Sequence, residues 1–305
     1  MITFNFEMQE LDSIKLNFDS ESLFFLNLTL AVIMFGVALN IQLEDFTRIF
    51  KKPKSIIIGF LSQFFLLPAV TFLLVLIIKP IPSIALGMFM VAACPGGNIS
   101  NFMSNYANGN AALSVSLTAI ATLMAILLTP FNFQFWSSLY EPTSSLIQTI
   151  SLSPFEMAKV ISLLLGLPLI LGMLVRNYFP KFAATTSAFF KIGSILFFIV
   201  LIVLAFSKNI DIFKNYIHYV FFIVFIHNIL ALTVGYSIAN LAGLSKQNKR
   251  TLSIETGIQN SGLGLLLIFS FFDGLGGMAL LAAFWGIWHI VSGLFLATYW
   301  SKKQI

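Results

Sequence analysis

Glu255 stands inside a stretch of the chain that otherwise has the composition of a membrane span. Residues 253–262 read Ser-Ile-Glu-Thr-Gly-Ile-Gln-Asn-Ser-Gly, so a carboxylate, two carboxamides and two glycines interrupt an apolar segment. A charged side chain at bilayer depth costs roughly 2.5–3.5 kcal/mol on insertion scales, and such residues usually face the protein interior or a polar cavity. Glu255 is therefore predicted to belong to a binding site within the membrane.

A second polar break lies in an earlier apolar segment. Residues 94–101 read Cys-Pro-Gly-Gly-Asn-Ile-Ser-Asn, and proline and glycine are the residues that let a helix unwind. In lipid, unwound backbone survives only where it lines a cavity inside the protein. There one half-helix offers carbonyl oxygens to a cation and the next offers N–H groups to an anion. Two such breaks favour a transport site that takes both classes of ligand.

Several side chains near the breaks carry oxygen atoms and no stronger metal ligand. Ser114 and Thr118 are four residues apart and share one face of a helix. Gln63 stands in an otherwise apolar run, and Gln259 follows Glu255 by about one helical turn. The oxygen set consists of Gln63, Ser100, Asn101, Ser114, Thr118, Glu255 and Gln259. Because this set has one formal charge and no imidazole or thiolate, it favours an alkali cation over a transition metal.

Structural roles compete with this interpretation. Polar side chains between membrane helices usually form hydrogen bonds worth about 0.6 kcal/mol, and Ser114 or Thr118 taken singly could do only that. Glu255 without a cation would be a protonated structural acid. His227 and His289 are more often packing residues that make one hydrogen bond.

Other functions stay open on the residues alone. A proton-coupled carrier or antiporter could cycle a proton on Glu255, although the hydroxyl and carboxamide ligands would then be surplus. An intramembrane enzyme could use Glu255 and His289 as acid and base, but the sequence has no recognisable Ser-His or Asp-Asp pair and no metal-binding His-Glu motif. A sensor that does not transport is disfavoured because the sequence shows no signalling domain.

The composition predicts an all-α polytopic membrane protein. Hydrophobic residues make up 58% of the 305 residues and charged residues 10%, with a mean hydropathy of +0.93. A water-soluble globule could not cover that much apolar surface. The net charge of +5 comes from basic residues dispersed over short loops, which argues for the lipid bilayer as partner and against nucleic acid. The single cysteine, Cys94, excludes an intrachain disulfide, and no cofactor is expected.

Each membrane crossing needs about 20 apolar residues, and nine helices are predicted on that basis. They cover residues 22–41, 54–79, 84–107, 111–136, 157–176, 183–206, 216–242, 251–272 and 278–300. With the N-terminus outside and the C-terminus inside, eleven of the 17 basic residues fall on the cytoplasmic side, where Lys and Arg concentrate. Residues 1–21 are then a polar extracellular or periplasmic segment, residues 137–156 an external linker and residues 301–305 a cytoplasmic tail.

The two polar breaks fall in the third and eighth predicted helices. Five crossings separate them, so the two helices have opposite orientations in the membrane, and each is followed by one further full span. This arrangement predicts an inverted repeat with two discontinuous helices that cross near the midplane. The first repeat has one helix fewer, because four predicted spans precede the long linker and five follow it.

The motifs resemble those of the bile acid:sodium symporter family, and of its bacterial members in particular. They are Cys-Pro-Gly-Gly-x-x-Ser-Asn from Cys94, Gly-Asn-x-Ala-Leu-Ser from Gly109, Glu-x-Gly-x-Gln-Asn-Ser-Gly-Leu from Glu255, and Trp-His at 288–289. The resemblance extends from about Ile33 to Ser301. It implies Na⁺-coupled symport of an organic anion by alternating access, in a multi-pass protein of the bacterial inner membrane, and no enzymatic activity.

The resemblance also implies a core domain that moves against a panel domain, with Na⁺ as the coupling ion in two sites behind the crossing. The panel would consist of residues 22–53 and 157–206, and the core of residues 54–136 and 214–300. By motif position, the first Na⁺ site would consist of Ser100, Asn101, Ser114, Thr118 and Glu255. The second would consist of Gln63, Glu255 and Gln259 together with the backbone carbonyls of Thr256 and Ile258.

The substrate implied by the resemblance is a bile acid-like anion or a smaller carboxylate, such as a keto acid or a pantoate-like compound. Asn98 occupies a position where relatives commonly have threonine, at the half-helix N-terminus that would face the substrate. The residues predicted to contact the substrate are Asn98, Ile99, Asn260 and His289.

Overall fold

The fold is taken from a computed structural model. The structure describes residue 12 and residues 20–42, 44–47, 53–150, 153–187, 189, 190, 192, 193, 196, 200 and 210–303. Within these residues the regular structure is helical, apart from one isolated antiparallel bridge between Gly96 and Gln259. The predicted N-terminal segment at 1–21 lies mostly outside the described residues.

Eleven of the described helices are labelled here in chain order. They are α1 (Ser20–Ala38), α2 (Pro53–Ile78), α3 (Pro82–Ala93), α4 (Ile99–Tyr106), α5 (Ala111–Leu139), α6 (Glu141–Ile150), α7 (Pro154–Tyr178), α8 (Ile210–Leu241), α9 (Lys246–Gly257), α10 (Ser261–Phe271) and α11 (Gly276–Ser301). Residues 44–47 and 180–187 are also helical.

These helices follow the predicted spans in order. The predicted spans at 84–107 and 251–272 are each divided into two helices, α3 with α4 and α9 with α10, so both predicted breaks are present. The predicted span at 183–206 lies largely outside the described residues. Nine crossings, the orientation in the membrane and the division into core and panel therefore stay predictions.

The outer surface of the described helices is apolar. Five of them are long and apolar enough to cross a bilayer, and three shorter apolar helices accompany these. Large side chains on this surface point outward, with Ile77, Phe155 and Phe295 exposed to 78%, 78% and 77%. Large apolar side chains are unfavourable in contact with water, so this surface must be covered by lipid or by another protein. The described part of the chain is thus helical and has the apolar exterior of an integral membrane protein.

α2 and α7 each contain one turn of π-helix. The two π segments are Ser62–Leu66 and Ser162–Gly166, and a Leu-Pro pair follows each of them directly. Proline has no N–H and its ring crowds the carbonyl four residues earlier, so a wider turn relieves the contact without breaking the helix. In α2 this widened turn carries Gln63 and directs it into the protein, where it is buried.

The predicted external linker at 137–156 is largely helical. α5 continues to Leu139 and α6 follows almost at once. The hydroxyl of Thr143 is buried and donates to the carbonyls of Ser137 and Tyr140 at 2.5 and 2.9 Å, while Ile147 packs into the main apolar core. The segment is therefore anchored to the helices that it connects.

α3 and α10 lie at the centre of the molecule. Every residue of α3 from Ser83 to Ala93 is buried, and so is every residue of α10 from Gly262 to Phe269. α3 packs against α2, α5 and α11, and α10 packs against α1 and α11. α3 and α10, one half-helix at each break, are thus enclosed by neighbouring helices.

Candidate functional site

The two helix breaks meet in a short antiparallel backbone contact. The amide of Gly97 donates to the carbonyl of Ile258 at 2.7 Å, and the amide of Asn260 donates to the carbonyl of Pro95 at 2.9 Å. These bonds satisfy backbone groups that neither half-helix can pair internally. The broken helices are thereby joined at the points where each is interrupted.

Gly97 permits the close approach of the two segments. A Cβ atom on this residue would lie 2.9 Å from the carbonyl oxygen of Gln259 and 3.6 Å from the amide nitrogen of Asn260. A backbone oxygen at 2.9 Å leaves no room for a side chain, so the position needs glycine.

Carbonyl oxygens at the ends of α3 and α9 receive side chains from other helices. The hydroxyl of Thr129 in α5 donates to the carbonyl of Ala93 at 2.8 Å, and Nδ2 of Asn228 in α8 donates to the carbonyl of Gly257 at 2.8 Å. Helix ends within a membrane need such partners because bulk water does not reach them. Sequence analysis missed both residues as parts of the site, and the one available signal was a polar side chain in an apolar span.

The N-termini of α4 and α10 lie next to each other at this contact. α4 begins after Asn98 and α10 begins after Asn260, whose Oδ1 accepts from the amide of Leu263 at 3.1 Å. Each N-terminus carries the positive end of a helix dipole and N–H groups without a partner in their own helix. Two adjacent ends of this kind favour an anion.

Hydroxyl groups from α4 and α5 surround the carboxylate of Glu255 in α9, which is only 6% exposed. Its Oε1 accepts from Ser100 at 2.5 Å and from Ser114, and its Oε2 accepts from Thr118 at 3.0 Å. Thr118 Oγ1 also lies 3.2 Å from Oδ1 of Asn101. The structure therefore brings the five residues of the first predicted set together around one carboxylate.

A pair of carboxamides forms the neighbouring half of the site. Nε2 of Gln63 donates to Oε1 of Gln259 at 2.8 Å, and Nε2 of Gln259 donates to the carbonyl of Thr256 at 2.6 Å. The carbonyl of Ile258 accepts from Gly97, yet a carbonyl oxygen has a second lone pair that remains available to a ligand. The members of the second predicted set are thus adjacent to one another and to the backbone contact.

A narrow cavity reaches both halves of the site from between α2 and α5. Gln63 and Glu255 contribute to its wall, but the rest of the wall is apolar or glycine. The remaining lining residues are Gly59, Phe60, Phe64, Gly96, Leu117, Ile120 and Ala121. The polar atoms of the two sets therefore lie close enough to share Glu255, while apolar side chains separate them from the lipid.

The four residues predicted to contact a substrate lie around the same contact. Oδ1 of Asn98 is enclosed and has no hydrogen-bond partner among the described residues. Ile99 is half-buried and packs against an apolar cluster that includes Ile258. Asn260 is 8% exposed and uses its side-chain oxygen to cap α10.

His289 lies on α11 beside the crossing. One turn before it, Gly286 approaches the hydroxyl of Ser261, and one turn after it, Gly293 approaches Ile258. His289 is 4% exposed, and its Nδ1 has no hydrogen-bond partner within the described part of the chain. The helix face that carries it therefore packs on the segment where α10 begins.

His227 occupies a different place, in the packing between α2, α8 and α11. Its Nε2 lies 2.7 Å from the hydroxyl of Thr71, and its ring contacts that of Trp285 at a centroid distance of 4.8 Å. This is the environment expected of a packing histidine with one hydrogen bond.

Comparison with known proteins adds a family to this geometry. Residues 27–216 match the profile of the Sodium Bile acid symporter family. The chain is 33% identical over 293 residues to the uncharacterized sodium-dependent transporter YocS of Bacillus subtilis, an alignment that covers 94% of this chain and 88% of that protein.

Relatives from plants and animals are also similar. The chain is 27% identical over 276 residues to the probable chloroplastic sodium/metabolite cotransporter BASS2 of Oryza sativa subsp. japonica, which covers 90% of this chain and 64% of that protein. It is 29% identical over 240 residues to the human ileal sodium/bile acid cotransporter, which covers 78% of this chain and 67% of that protein.

Proposed function

The chain belongs to the sodium bile acid symporter family, and from that premise we propose that it carries a small organic anion across the membrane together with two Na⁺ ions. The family consists of sodium-dependent transporters, so the protein is a transporter and not an enzyme. We propose in addition its class of substrate, the number of its ions and the mechanism of its transport cycle.

The observation that carries the proposal is the set of neutral oxygen donors around one buried carboxylate. Glu255 is bonded by three hydroxyls and lies beside the Gln63–Gln259 pair. Hydroxyl and carboxamide oxygens are ligands that a hard cation accepts, and one carboxylate shared by two cations leaves a net charge of +1. We assign the first Na⁺ to Ser100, Asn101, Ser114, Thr118 and Glu255, and the second to Gln63, Glu255, Gln259 and the carbonyls of Thr256 and Ile258.

The adjacent N-termini of α4 and α10 are the proposed seat of the anion. A monocarboxylate there would balance the charge of +1 left by two cations and one carboxylate, so that the loaded site is neutral. Asn98 offers an enclosed carboxamide oxygen and His289 a ring nitrogen beside the crossing, and neither atom has a hydrogen-bond partner in the described part of the chain. Both are suited to polar groups of the substrate next to its carboxylate, and Ile99 and Asn260 complete the proposed contacts.

Cation and anion would favour each other's binding through the backbone contact between the breaks. The same unwound segments supply carbonyl oxygens to the cations and N–H groups to the anion. A cation that fixes the geometry of Gly97 and Ile258 also fixes the N-termini of α4 and α10. The coupling is reciprocal, so the substrate must raise the affinity for Na⁺ by the factor by which Na⁺ raises the affinity for substrate.

Movement of a core against a panel would expose this site to each side in turn. α1 and α7, which belong to the proposed panel, pack on each other, and they contact the proposed core through α5 and α10. All residues assigned to the cations lie on α2, α4, α5, α9 and the break after α9. The site would therefore move as one unit with the proposed core.

The test is uptake of labelled organic anions by proteoliposomes with an imposed Na⁺ gradient. The substrate is first found by a thermal-shift screen of bile acids, keto acids and pantoate, with and without Na⁺. We expect accumulation that requires external Na⁺ and stops when choline replaces it at constant pH. Uptake that ignores Na⁺ would reject the proposal, and uptake that instead follows a pH gradient would favour the proton-coupled carrier.

A further inference from the structure

A hydrogen-bonded polar layer joins three helices one to two turns away from the residues assigned to Na⁺. Nδ2 of Asn248 in α9 donates to the hydroxyl of Ser55 in α2 at 2.9 Å. Oδ1 of the same side chain accepts from Nδ2 of Asn110, the residue that precedes α5, at 2.9 Å. A single carboxamide thus uses both of its polar groups to connect α2, α5 and α9.

Further bonds hold α5 and α9 together at this level. The amide of Asn110 donates to Oγ1 of Thr251 at 2.8 Å, and that hydroxyl donates to the carbonyl of Asn110 at 3.3 Å. Oδ1 of Asn110 caps α5 by accepting from the amide of Leu113 at 3.0 Å. The start of α5 is therefore fixed to α9 through both its backbone and its side chain.

The helix register connects this layer with the site. One face of α9 carries Asn248, Thr251 and Glu255 in succession. Ser114 of α5 follows Asn110 by four residues. In α2, Ser55 precedes Gln63 by eight residues. Four residues of α-helix correspond to about 6 Å along the axis. The layer thus lies one to two turns from the proposed Na⁺ ligands, on three of the four helices that carry them.

The layer lies at the basic ends of these helices. Lys54 precedes Ser55, Lys249 follows Asn248, and Arg250 comes next in the chain. Ser55 and Thr251 are buried, whereas Asn110 and Asn248 are half-buried. The bonds are therefore shielded from competing water at Ser55 and Thr251. The partly exposed asparagines can be substituted with little disturbance of the packing.

We infer that Asn248 is a positioning residue for Na⁺: its carboxamide sets the distances between α2, α5 and α9 and thereby the affinity of the site for Na⁺. The inference rests on the proposed function, since it assigns a role toward the same ions. A cation site requires its ligands within about 0.5 Å of their productive positions. Ligands on separate helices meet that requirement only if the helices are tied to one another close by, and Asn248 of α9 bonds directly to Ser55 of α2 and to Asn110 at the start of α5.

The experiment is a Na⁺ titration of the full-length protein in detergent. The apparent melting temperature is followed as NaCl replaces choline chloride at constant ionic strength. Asn248→Ala removes both bonds, and we expect the half-saturating Na⁺ concentration to rise roughly three- to tenfold. Asn248→Asp keeps an acceptor for Asn110, and the hydroxyl of Ser55 can turn to donate to it, so its half-saturating concentration should stay within about twofold of the parent.

Two further variants separate positioning from general stability. Asn240→Ala is the matched control. The exposed side chain of Asn240 also accepts a hydrogen bond from α9, from Lys249 at 2.7 Å, but it does not take part in the polar layer. Ser55→Ala removes only the connection to α2, so its effect on Na⁺ should be smaller than that of Asn248→Ala and should not add to it in the double variant.

Each possible result either supports or overturns the positioning role of Asn248. If Asn248→Ala lowers the melting temperature without Na⁺ but leaves the half-saturating Na⁺ concentration unchanged, the residue is structural only and the inference is wrong. If Asn248→Ala does not fold, the same judgement is made on Ser55→Ala. If the parent protein shows no response to Na⁺, the proposed function fails and this inference fails with it, whereas a parent response with unaffected variants overturns the inference alone.

Discussion

Among the described residues, hydroxyl groups and no basic side chain bond to Glu255. Ser100, Ser114 and Thr118 donate to it, and none of these groups carries a charge. The basic residue nearest along α9, Arg250, points its guanidinium at backbone carbonyls instead. Hydrogen bonds stabilise a carboxylate without neutralising it, and in the proposed function the compensating charge comes from Na⁺.

Removal of that charge should abolish coupling to Na⁺. Glu255→Gln preserves size and shape but offers no negative charge to two cations, and we expect the initial rate of Na⁺-driven uptake to fall at least about a hundredfold, equivalent to roughly 3 kcal/mol. Glu156→Gln, at the exposed start of α7, is the matched control and should transport normally. Full Na⁺ dependence in the Glu255 variant would contradict the assignment.

Gln259 should affect one cation and not the other. It bonds to Gln63 and to the carbonyl of Thr256, whereas the three hydroxyls bond to Glu255. We expect Gln259→Ala to reduce the Hill coefficient for Na⁺ from near two toward one, because only the second proposed set loses a ligand. The measurement is initial uptake against Na⁺ concentration, with the exposed Gln247→Ala as control. An unchanged coefficient would show that Gln259 binds no coupling ion.

At the scale of the helices, the backbone contact between the two breaks matters more than either break alone. Its two hydrogen bonds join segments that are more than 150 residues apart in the chain. Thr129 and Asn228 satisfy the carbonyls beside it. These four hydrogen bonds tie the unwound segments to each other and to α5 and α8.

A methyl group at Gly97 should disturb this contact. Gly97→Ala places a Cβ 2.9 Å from the carbonyl oxygen of Gln259, and overpacking of this kind costs about 1–3 kcal/mol. We expect a lower melting temperature and a smaller stabilisation by Na⁺. Gly264→Ala is the control, since its Cβ would meet Cys94 Sγ at 3.6 Å and Met90 Cγ at 3.9 Å, both ordinary contact distances. Equal behaviour of the two variants would mean that the segments do not need their close approach.

At the scale of the whole molecule, Arg250 ties three helix ends together at the basic side. Nη1 donates to the carbonyls of Ala107 and Trp300 at 2.8 and 3.1 Å, and Nη2 donates to that of Lys303 at 3.3 Å. Its guanidinium also lies 5.9 Å from the ring centre of Trp300. The ends of α4 and α11 are thus attached to α9, which makes the broken helices and α11 one packed unit.

Lysine cannot reproduce this arrangement, because an ammonium group lacks the planar fork that reaches several carbonyls at once. We expect Arg250→Lys to destabilise the protein by about 1–3 kcal/mol, seen as a lower apparent melting temperature. Arg176→Lys, a half-buried arginine at the end of α7, serves as control. The Na⁺ concentration for half-saturation should change little in either variant, in contrast to Asn248→Ala.

The proposed stoichiometry also concerns the molecule as a whole. Two Na⁺ with one monoanion move one net positive charge, and the membrane potential contributes about 2.3 kcal/mol per 100 mV to that movement. A potassium diffusion potential of 100 mV, negative inside, should therefore raise accumulation at equilibrium by about fiftyfold. Accumulation that does not respond to the potential would indicate an electroneutral cycle with one Na⁺.

Much of the structure of this protein was predictable from its sequence. A polar residue within a membrane span is energetically costly, so its presence indicates a structural or functional role. The broken helices, the oxygen donors around Glu255 and the order of the apolar spans all follow from where costly residues interrupt apolar runs. The family resemblance added the assignment of these residues to two proposed cation sites. The predicted linker at 137–156 shows the limit, since its polar composition did not reveal that most of it is helical.

The tertiary structure alone decided which distant side chains serve the site indirectly. Thr129, Asn228 and Asn248 have no distinctive spacing in the sequence, and their roles appear only because packing brings them to the carbonyls or carboxamides that they bond. The close approach at Gly97 likewise depends on how two segments cross. Composition and helical periodicity indicate which face of a segment contacts lipid and which contacts protein. The partner of a single hydrogen bond is set by three-dimensional packing, which local sequence does not encode.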